Sequence, residues 1–500
     1  MLRKFWLAAL MAGAAFPALA NDGVLDVVAP FEIVSADPVR SGNIFQKMDV
    51  IETLVDSDDK GRLLPGLATE WVASEDGLVW TFTLRSDVTF HDGSKMDGAS
   101  VATSLEHSRA KGGLLAKAPI DRIEADGNSV RFILSSPFAM LPAMLAEYRS
   151  GIIAPSAIDA NGTVTALVGT GAYRATSLMP PNKLEAERFE DYWGKLAAIP
   201  LATYSAVSRS ETRALMAEGG DADVTINLDP ASVKRLAQLD SLEVVSVSIP
   251  RILMLKVNAE VFDLETRKAL SLAIDRDGIA KAVLRYPAGA TQMFPPKMAQ
   301  WHDDSLPPLE YDPQKARDIL AKLGWTAQAD GVLQKDGKPL EIELLTYPDR
   351  PELPLAAAVL QQQFAAIGAK AEINATNFSE IPAKHKSGTL STALFARNFA
   401  LVPDPVGTLL EDYAPTGDWG AMGWNNEAFT NTVNMLAAGA VDEDARAEAR
   451  KQIVQTLQSE LPVLPIAWYQ QTMAVSNEVT GLVVDPFERT LGLKSMEWAQ

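Results

Sequence analysis

Apolar and polar residues alternate with the period of a half-buried strand in the stretch VWTFTLR, residues 79–85. Three clusters of polar residues that end in glycine surround it, at Asp58–Gly61, Ser74–Gly77 and His91–Gly93. Such clusters favour tight turns, because glycine adopts positive φ at little cost. Asp97 then precedes a helical spacing of apolar residues. The pattern predicts a small β-rich unit with one amphipathic helix.

The second half of the chain alternates strand-like and helix-like patterns. In chain order, the predicted strands and helices cover residues 340–347, 354–367, 369–376, 378–387 and 393–399. This βαβαβ order implies a parallel or mixed sheet with helices on its faces. Two long apolar runs, Ile249–Asn258 and Leu464–Val475, are predicted to be strands that cross between two lobes.

Cap residues predict where several helices begin and end. Asp312 followed by Pro313 predicts a helix start, and Gly324 predicts its end. Ser210 is predicted to cap a helix that runs to Glu218. Further helices are predicted as a pair over residues 264–284 and as one long amphipathic helix over residues 443–460.

The first twenty residues have the pattern of a secretory signal peptide. Arg3 and Lys4 precede the apolar run Phe5–Phe16, and Ala18–Ala20 is a small-residue cleavage site. The alternative, a membrane anchor, needs a run of roughly 18 apolar residues, and this run is shorter. The chain has no cysteine, which excludes disulfides, cysteine nucleophiles and a lipid-anchored N-terminal cysteine. We therefore expect a periplasmic protein without a lipid anchor.

The formal net charge is −19, which disfavours nucleic acid and anionic lipid surfaces as partners. No hydrolase, zinc-protease, phosphate-loop or calcium-loop motif is present. The four histidines, His91, His107, His302 and His385, are far apart in sequence. We expect no catalytic residue, no metal site and no cofactor.

An ordered set of motifs resembles one protein family. Glu52–Leu54, Leu64–Trp71, the SEDGLVWTFTLR run from Ser74 to Arg85 and His91–Gly93 follow one another as in the family 5 extracytoplasmic solute-binding proteins of ABC importers, the peptide/nickel type. The GTGAY and FEDYWG segments, at residues 169–173 and 189–194, and the stretch 267–279 extend the resemblance. Similarity to nickel-type members is strongest at residues 311–325 and 453–476.

The resemblance implies an α/β, two-lobed periplasmic-binding-protein fold of type II (cluster C-like), with mixed sheets and two crossover hinge strands. After the signal peptide, residues 1–20, it implies a first lobe over residues 21–254, with an extra subdomain at about 46–168. The second lobe would cover residues 255–473, and residues 474–500 would return to the first. It further implies a monomer that delivers its solute to an ABC permease in the inner membrane.

The implied ligand is a short peptide, an opine-like conjugate or a nickel or other metal chelate, held in a cleft between the lobes. A secreted hydrolase and a periplasmic chaperone or scaffold are the alternatives. Measured turnover would favour the first, and the absence of a saturable small ligand would favour the second.

Candidate ligand-binding residues come from the resemblance and from residue chemistry. Arg149 lies where nickel-type members present an arginine, and a surface ion pair is its alternative role. The loop after the predicted strand at residues 393–399 carries a ligand contact in relatives. Trp419 and Trp424 could stack on a ligand or pack in the core. The full set is Arg149, Arg397, Asn398, Phe399, Trp419, Trp424, Ile44 and Lys111. Arg149 and Arg397 are expected to come from opposite lobes, so we expect them to clamp a ligand carboxylate in the closed form.

Overall fold

The structure is a computed structural model that describes residues 22–399, 402–413, 419–439 and 442–499. The predicted signal peptide, residues 1–20, lies outside the described residues.

The chain begins with one strand and one helix and then forms a separate antiparallel unit. The elements are β1 (Val24–Ala29), α1 (Pro38–Lys47), β2 (Val55–Ser57), β3 (Leu63–Pro65), β4 (Ala68–Ala73), β5 (Val79–Leu84), α2 (Gly98–Ala110), β6 (Ile120–Asp126), β7 (Ser129–Leu134) and α3 (Leu141–Met144). Strands β4, β5, β7 and β6 form a four-stranded sheet in that order, and α2 packs on it. Asp97 caps α2 by accepting a hydrogen bond from the backbone N–H of Ser100, so the predicted helix start is confirmed.

The chain next returns to a larger sheet. The elements are β8 (Tyr173–Met179), β9 (Lys183–Arg188), β10 (Leu201–Ala206), α4 (Ser210–Gly219), β11 (Val224–Ile226), α5 (Pro230–Leu236) and β12 (Leu242–Val257). The predicted cap at Ser210 is wrong, because Arg209 holds the cap position and Ser210 is the first helical residue. The Ser210 hydroxyl donates instead to the Asp229 carboxylate, 2.8 Å away.

The third part contains the predicted alternation of strands and helices. The elements are α6 (Leu264–Leu272), α7 (Pro313–Lys322), β13 (Thr326–Ala327), β14 (Leu333–Lys335), β15 (Lys338–Pro339), β16 (Glu341–Thr346), α8 (Glu352–Ala366), β17 (Lys370–Ala375), α9 (Glu380–Lys386), β18 (Thr392–Asn398), α10 (Pro405–Tyr413), α11 (Glu427–Ala438) and α12 (Glu443–Glu460). Asp312 caps α7 as predicted, by accepting from the backbone N–H of Lys315. The second member of the predicted pair at residues 264–284 is a short π-helical segment, Gly278–Leu284.

A long strand and two short ones end the chain: β19 (Val463–Ser476), β20 (Val479–Thr480) and β21 (Glu497–Trp498). Ten strands form one mixed sheet in the order β17-β16-β18-β12-β19-β11-β1-β10-β9-β8. We call the elements around β1 and β8–β11, together with the four-stranded unit, the first lobe. The elements around β16–β18 are the second lobe, and the antiparallel pair β12 and β19 joins the two.

The ladder between these two long strands has two irregularities, a longer interruption after Ser248 and a register shift between Leu253 and Met254. Pairing runs from Leu242–Ser476 to Ser248–Gln470, then shifts register and resumes at Ile252–Trp468. Pro250 lies inside the interruption and has no N–H to donate to the ladder. The interruption therefore has a local cause, and it lies directly beside Arg251.

The family motifs meet inside the first lobe and have a structural role there. The buried carboxylate of Glu52 accepts from Thr170 Oγ1 at 2.9 Å, Tyr192 Oη at 2.9 Å and Trp193 Nε1 at 3.0 Å. These donors belong to the GTGAY and FEDYWG segments. The motifs therefore join the four-stranded unit to the main sheet.

His91 makes a second connection between these segments. Its Nδ1 accepts from the backbone N–H of Gly169 at 3.3 Å, so its Nε2 carries the hydrogen that it donates to the carbonyl of Gly171 at 2.9 Å. Burial lowers the pKa of His91 to about 4, although the bond to Gly171 acts against this shift. The ring is therefore neutral at physiological pH.

Candidate functional site

A buried ion pair lies where the two long strands leave the second lobe. Arg251 of β12 and Asn398 of β18 are paired across neighbouring strands. Arg251 Nη2 donates to Glu488 Oε2, and Asn398 Nδ2 donates to the same oxygen at 2.7 Å. Gln471 Nε2 donates to Glu488 Oε1 at 3.3 Å. Three segments that are distant in sequence thus converge on one carboxylate.

Arg251 has more hydrogen-bond donors than its surroundings accept. Its side chain is only 7% exposed, and its Nε and Nη1 groups have no hydrogen-bond partner among the described residues. A buried donor without an acceptor typically costs about 1–3 kcal/mol, so such groups are rare in folded proteins. The guanidinium of Arg251 thus keeps two buried nitrogen donors without an acceptor in the described ranges, and its carbon lies 5.0 Å from the ring centre of Tyr469.

Two further cations lie near Arg251. Arg350 follows β16, and its Nη1 donates to Tyr469 Oη at 3.2 Å. Its guanidinium carbon lies 5.5 Å from the ring centre of Phe31, a residue of the first lobe. Lys47, the last residue of α1, makes no ion pair within 4 Å in the described part of the chain. We call Lys47, Arg251, Arg350 and their acidic neighbours Glu488 and Glu352 the Arg251 cluster.

The charges of the Arg251 cluster shift one another. Burial lowers the pKa of Lys47. Arg251 and Arg350 lower it further, whereas Glu488 and Asp485 oppose the shift. Burial alone would raise the pKa of Glu488, but Arg251, Lys47 and Arg350 together hold it below its ordinary value. The Glu488 carboxylate therefore stays ionised beside three cations.

A second ionic cluster connects the two lobes and includes two of the predicted residues. Arg397 of β18 donates to both oxygens of Asp412, with Nε 2.5 Å from Oδ2 and Nη2 2.9 Å from Oδ1. Arg149, in a 3₁₀ turn of the first lobe, donates from Nε to Glu147 Oε1 at 2.9 Å. Both guanidinium groups are thus held by a buried carboxylate of their own lobe.

Glu411 of α10 lies between these two arginines. Its Oε2 is 3.0 Å from Arg397 Nη2, and its Oε1 is 3.7 Å from Arg149 Nη1 and 3.9 Å from Lys117 Nζ. Burial acts to raise the pKa of Glu411, but Arg397, Arg149 and Lys117 outweigh it and keep the pKa below its ordinary value. We call Glu147, Glu411, Asp412 and these three cations the Glu411 cluster.

A cavity of about 670 Å³ opens between the lobes beside Pro250. First-lobe segments 59–62 and 484–487, second-lobe segments 297–301 and 403–405, and residues 247–250 of β12 line it. The lobes touch at its side, where the backbone N–H of Ala139 donates to the carbonyl of Ala437 at 2.9 Å. Arg251 and Glu488 directly follow lining residues in sequence, and neither of them lines the cavity itself.

The structure brings together two of the sequence-predicted residues and places a third in the other cluster. Arg149 and Arg397 meet at Glu411, and Asn398 binds Glu488 in the Arg251 cluster. Lys111 ends α2 with an exposed side chain.

The other predicted residues pack against protein. Ile44 is buried in the core of the first lobe, and Phe399 is buried with its ring centre 5.0 Å from that of Phe294. Trp419 packs on Phe395. Trp424 packs on Phe429 and donates from Nε1 to Glu460 Oε2 at 2.6 Å.

Sequence reasoning missed the residues with the strongest electrostatic features, Lys47, Arg251, Arg350, Glu488 and Glu411. One signal was present, because Arg251 is a charged residue inside the apolar run IPRILMLKVN. A cation in a predicted buried strand requires a partner, which would have identified it. The other four occupy ordinary polar positions in the sequence.

Within the described ranges, no group of three or more acidic, histidine or cysteine side chains is arranged so that it could hold a metal ion. Among the helices of the same ranges, none has both the length and the apolar character needed to cross a bilayer.

Comparison with known proteins identifies the family. The family model described as bacterial extracellular solute-binding proteins, family 5 Middle, matches residues 62–420. The chain is 29% identical over 511 residues to the nickel-binding periplasmic protein of Escherichia coli K12, covering 95% of this chain and 94% of that protein. It is 27% identical over 507 residues to the glutathione-binding protein GsiB of Salmonella paratyphi A, covering 96% of both.

A solved structure shows the same fold. NikA from Staphylococcus aureus in complex with Ni(L-His)2 superposes with a TM-score of 0.83 at 23% identity, over 95% of this chain and 99% of that chain. The likeness shows the fold, which is the two-lobed fold of family 5 binding proteins. The chain belongs to the bacterial extracellular solute-binding proteins of family 5.

Proposed function

We propose that the protein is the periplasmic substrate-binding component of an ABC importer, which captures a small anionic solute between its lobes and delivers it to a membrane permease. The solute belongs to one of three classes: a short peptide, an opine-like conjugate, or a nickel or other metal chelate. The protein acts as a monomer without catalysing a reaction. Its first lobe spans residues 21–254 and 474–500, its second lobe spans residues 255–473, and residues 1–20 direct export.

The observation that carries this proposal is the incomplete hydrogen bonding of Arg251. Its Nε and Nη1 groups are buried between the lobes with no acceptor among the described residues. The Nε–H and Nη1 groups lie on different edges of the guanidinium, so each can donate to a separate acceptor oxygen. Arg350 and Lys47 add positive charge nearby, so the unused donors and the local charge favour a ligand carboxylate.

All three solute classes supply such a carboxylate. Peptides and opine-like conjugates carry it directly, and amino-acid chelates present the carboxylates of the chelating molecule. The relatives include proteins described as nickel-binding and glutathione-binding, and the similar solved structure holds Ni(L-His)2. The scarcity of histidine and the absence of cysteine favour recognition of a complete chelate over a bare ion.

The predicted ligand residues divide between the two clusters. Asn398 lies on the Arg251 cluster and would orient Glu488. Arg149 and Arg397 remain candidates for a carboxylate clamp, but a solute would reach them only by displacing Glu411. The Arg251 cluster is therefore the primary anion site of this proposal.

Two measurements test the proposal in sequence. Native mass spectrometry of freshly purified protein should show a co-purified small molecule, without a converted product after incubation. Calorimetric titration with that molecule should then show that Arg251→Gln binds it at least tenfold more weakly, since loss of a buried charged hydrogen bond costs roughly 2–5 kcal/mol.

Arg174→Gln is the matched control, because Arg174 is a surface arginine of the same lobe that pairs with Glu187 and is 46% exposed. This control should bind like the parent protein. Affinities of Arg251→Gln and the parent within about threefold of each other would contradict the assignment of the site.

A further inference from the structure

The two ionic clusters of the cleft differ in one respect that bears on solute selection. In the Arg251 cluster, two nitrogens of a guanidinium lack an acceptor among the described residues. In the Glu411 cluster, the position between two arginines of opposite lobes is already taken by a carboxylate of the protein itself.

Glu411 contacts cations from both lobes. It belongs to α10 of the second lobe, whereas Arg149 and Lys117 belong to the first. Its side chain is only 18% exposed, so its charge is poorly screened by solvent. These contacts exist only while the lobes lie close together.

The charges of this cluster balance with Glu411 present. Arg149, Arg397 and Lys117 face Glu147, Glu411 and Asp412. A solute carboxylate placed here would face Glu411 and be repelled unless Glu411 moved away. An uncharged group of the solute meets no such penalty.

We propose that Glu411 is a resident carboxylate of the cleft, which closes the lobes on one another without a solute and excludes a solute carboxylate from this end. In its bearing on solute choice, this inference rests on the proposed function. The solute then directs its anionic group to Arg251 and an uncharged group toward Glu411. Glu411 is in this sense a specificity-determining residue.

Removing the side chain should create a site for a small carboxylate. In Glu411→Ala, Arg149 keeps its bond to Glu147 and Arg397 keeps both bonds to Asp412, so the two guanidinium groups should stay in place. Acetate has the carboxylate that the variant lacks and fits the space that the side chain leaves. It should therefore bind the variant and not the parent.

The experiment uses the solute-free protein with acetate as the probe. Saturation-transfer NMR on the acetate methyl group should show binding to Glu411→Ala with a Kd on the order of 10 mM, at least tenfold tighter than to the parent. Sodium chloride at equal concentration is the salt reference. Glu443→Ala is the matched control, since Glu443 pairs with Arg450 on α12 but is 69% exposed.

A second variant covers the case in which Glu411→Ala does not fold. Glu411→Gln keeps the volume of the side chain and removes its charge, so small-angle scattering without solute should show a larger radius of gyration than the parent. Equal acetate binding in Glu411→Ala and the parent, or an unchanged radius of gyration in Glu411→Gln, overturns the inference.

Neither readout requires the natural solute. If no solute co-purifies and Arg251→Gln behaves like the parent, the proposed function fails. The acetate experiment still tests the role of Glu411 independently. Conversely, solute binding without an acetate effect would reject only the role of Glu411.

Discussion

The Arg251 cluster and the Glu411 cluster use the same residue types to opposite effect. Arg397 of the Glu411 cluster is held by two oxygens of Asp412 and one of Glu411. Arg251 of the other cluster is equally buried, yet two of its nitrogens lack an acceptor in the described ranges. The position of an arginine in a cleft therefore says less about ligand binding than the number of its donors that the protein leaves unused.

The difference separates a structural role from a recognition role. A buried pair with complete hydrogen bonding is costly to break, because removing one partner leaves an uncompensated charge. An arginine with unused donors already carries part of that cost in the solute-free protein, so its removal should cost less stability and weaken binding more. Both properties can be measured on single variants.

The largest effect on stability is expected from Arg397→Gln. This change leaves the fully buried carboxylate of Asp412 without its bidentate partner, and the free energy of unfolding should fall by roughly 3–5 kcal/mol. Arg251→Gln should lower it by less, about 1–3 kcal/mol, because Asn398 and Gln471 still donate to the buried Glu488 carboxylate after it loses its arginine. Urea denaturation at pH 7.5, followed by tryptophan fluorescence, measures both values. Equal losses in the two variants would remove the distinction between the clusters.

A change of pH is expected to have a smaller effect on stability, through the protonation of His91. The pKa of His91 is about 4 in the folded protein and near 6.5 when unfolded, so the unfolded chain takes up the proton first as the pH falls. His91 should therefore reduce stability by about 2 kcal/mol between pH 7 and pH 5.

The pH dependence of unfolding, compared between the parent and His91→Gln, measures this contribution. The variant should lose less stability over the same interval than the parent does. Identical slopes would show that His91 does not remain neutral in the folded protein.

The smallest effect is expected from Lys117→Gln. Lys117 is 50% exposed and lies 3.9 Å from Glu411, so its ion pair is weak and screened by solvent. Stability should change by less than about 0.5 kcal/mol. A larger loss would mean that the ion pair between Lys117 and Glu411 contributes more to stability than a half-exposed ion pair is expected to.

The elements that could be predicted from sequence are those whose causes are local. The cap of α7 at Asp312 and the span of α12, Glu443–Glu460, follow from neighbouring residues alone. The cap predicted at Ser210 is wrong because Arg209 takes the cap position. The Ser210 hydroxyl bonds instead to Asp229, nineteen residues away in sequence. Competition from a distant acceptor is invisible to a local cap rule.

The site was harder to predict because its residues come from separate segments. Lys47, Arg251, Arg350 and Glu488 lie on a helix, a long strand and two loops, and only the folded sheet brings them together. The family resemblance located Arg149, Arg397 and Asn398 near the cleft, but it could not show that Glu411 already binds two of them. Phe399 and Trp424 pack against other rings, which is the common fate of aromatic residues beside a core.

The interrupted ladder between β12 and β19 has a mechanical consequence. Two strands that are hydrogen-bonded along their length bend and twist together as one ribbon, so its stiffness is lowest where bonds are missing. The longer gap lies between Ser248 and Ile252, beside Pro250, and a second register shift follows between Leu253 and Met254. We expect the rotation of one lobe against the other to be concentrated there. Because Arg251 is the next residue, a solute that binds it would add a cross-link at the most compliant position of the ribbon, so that occupancy and rotation would be mechanically coupled.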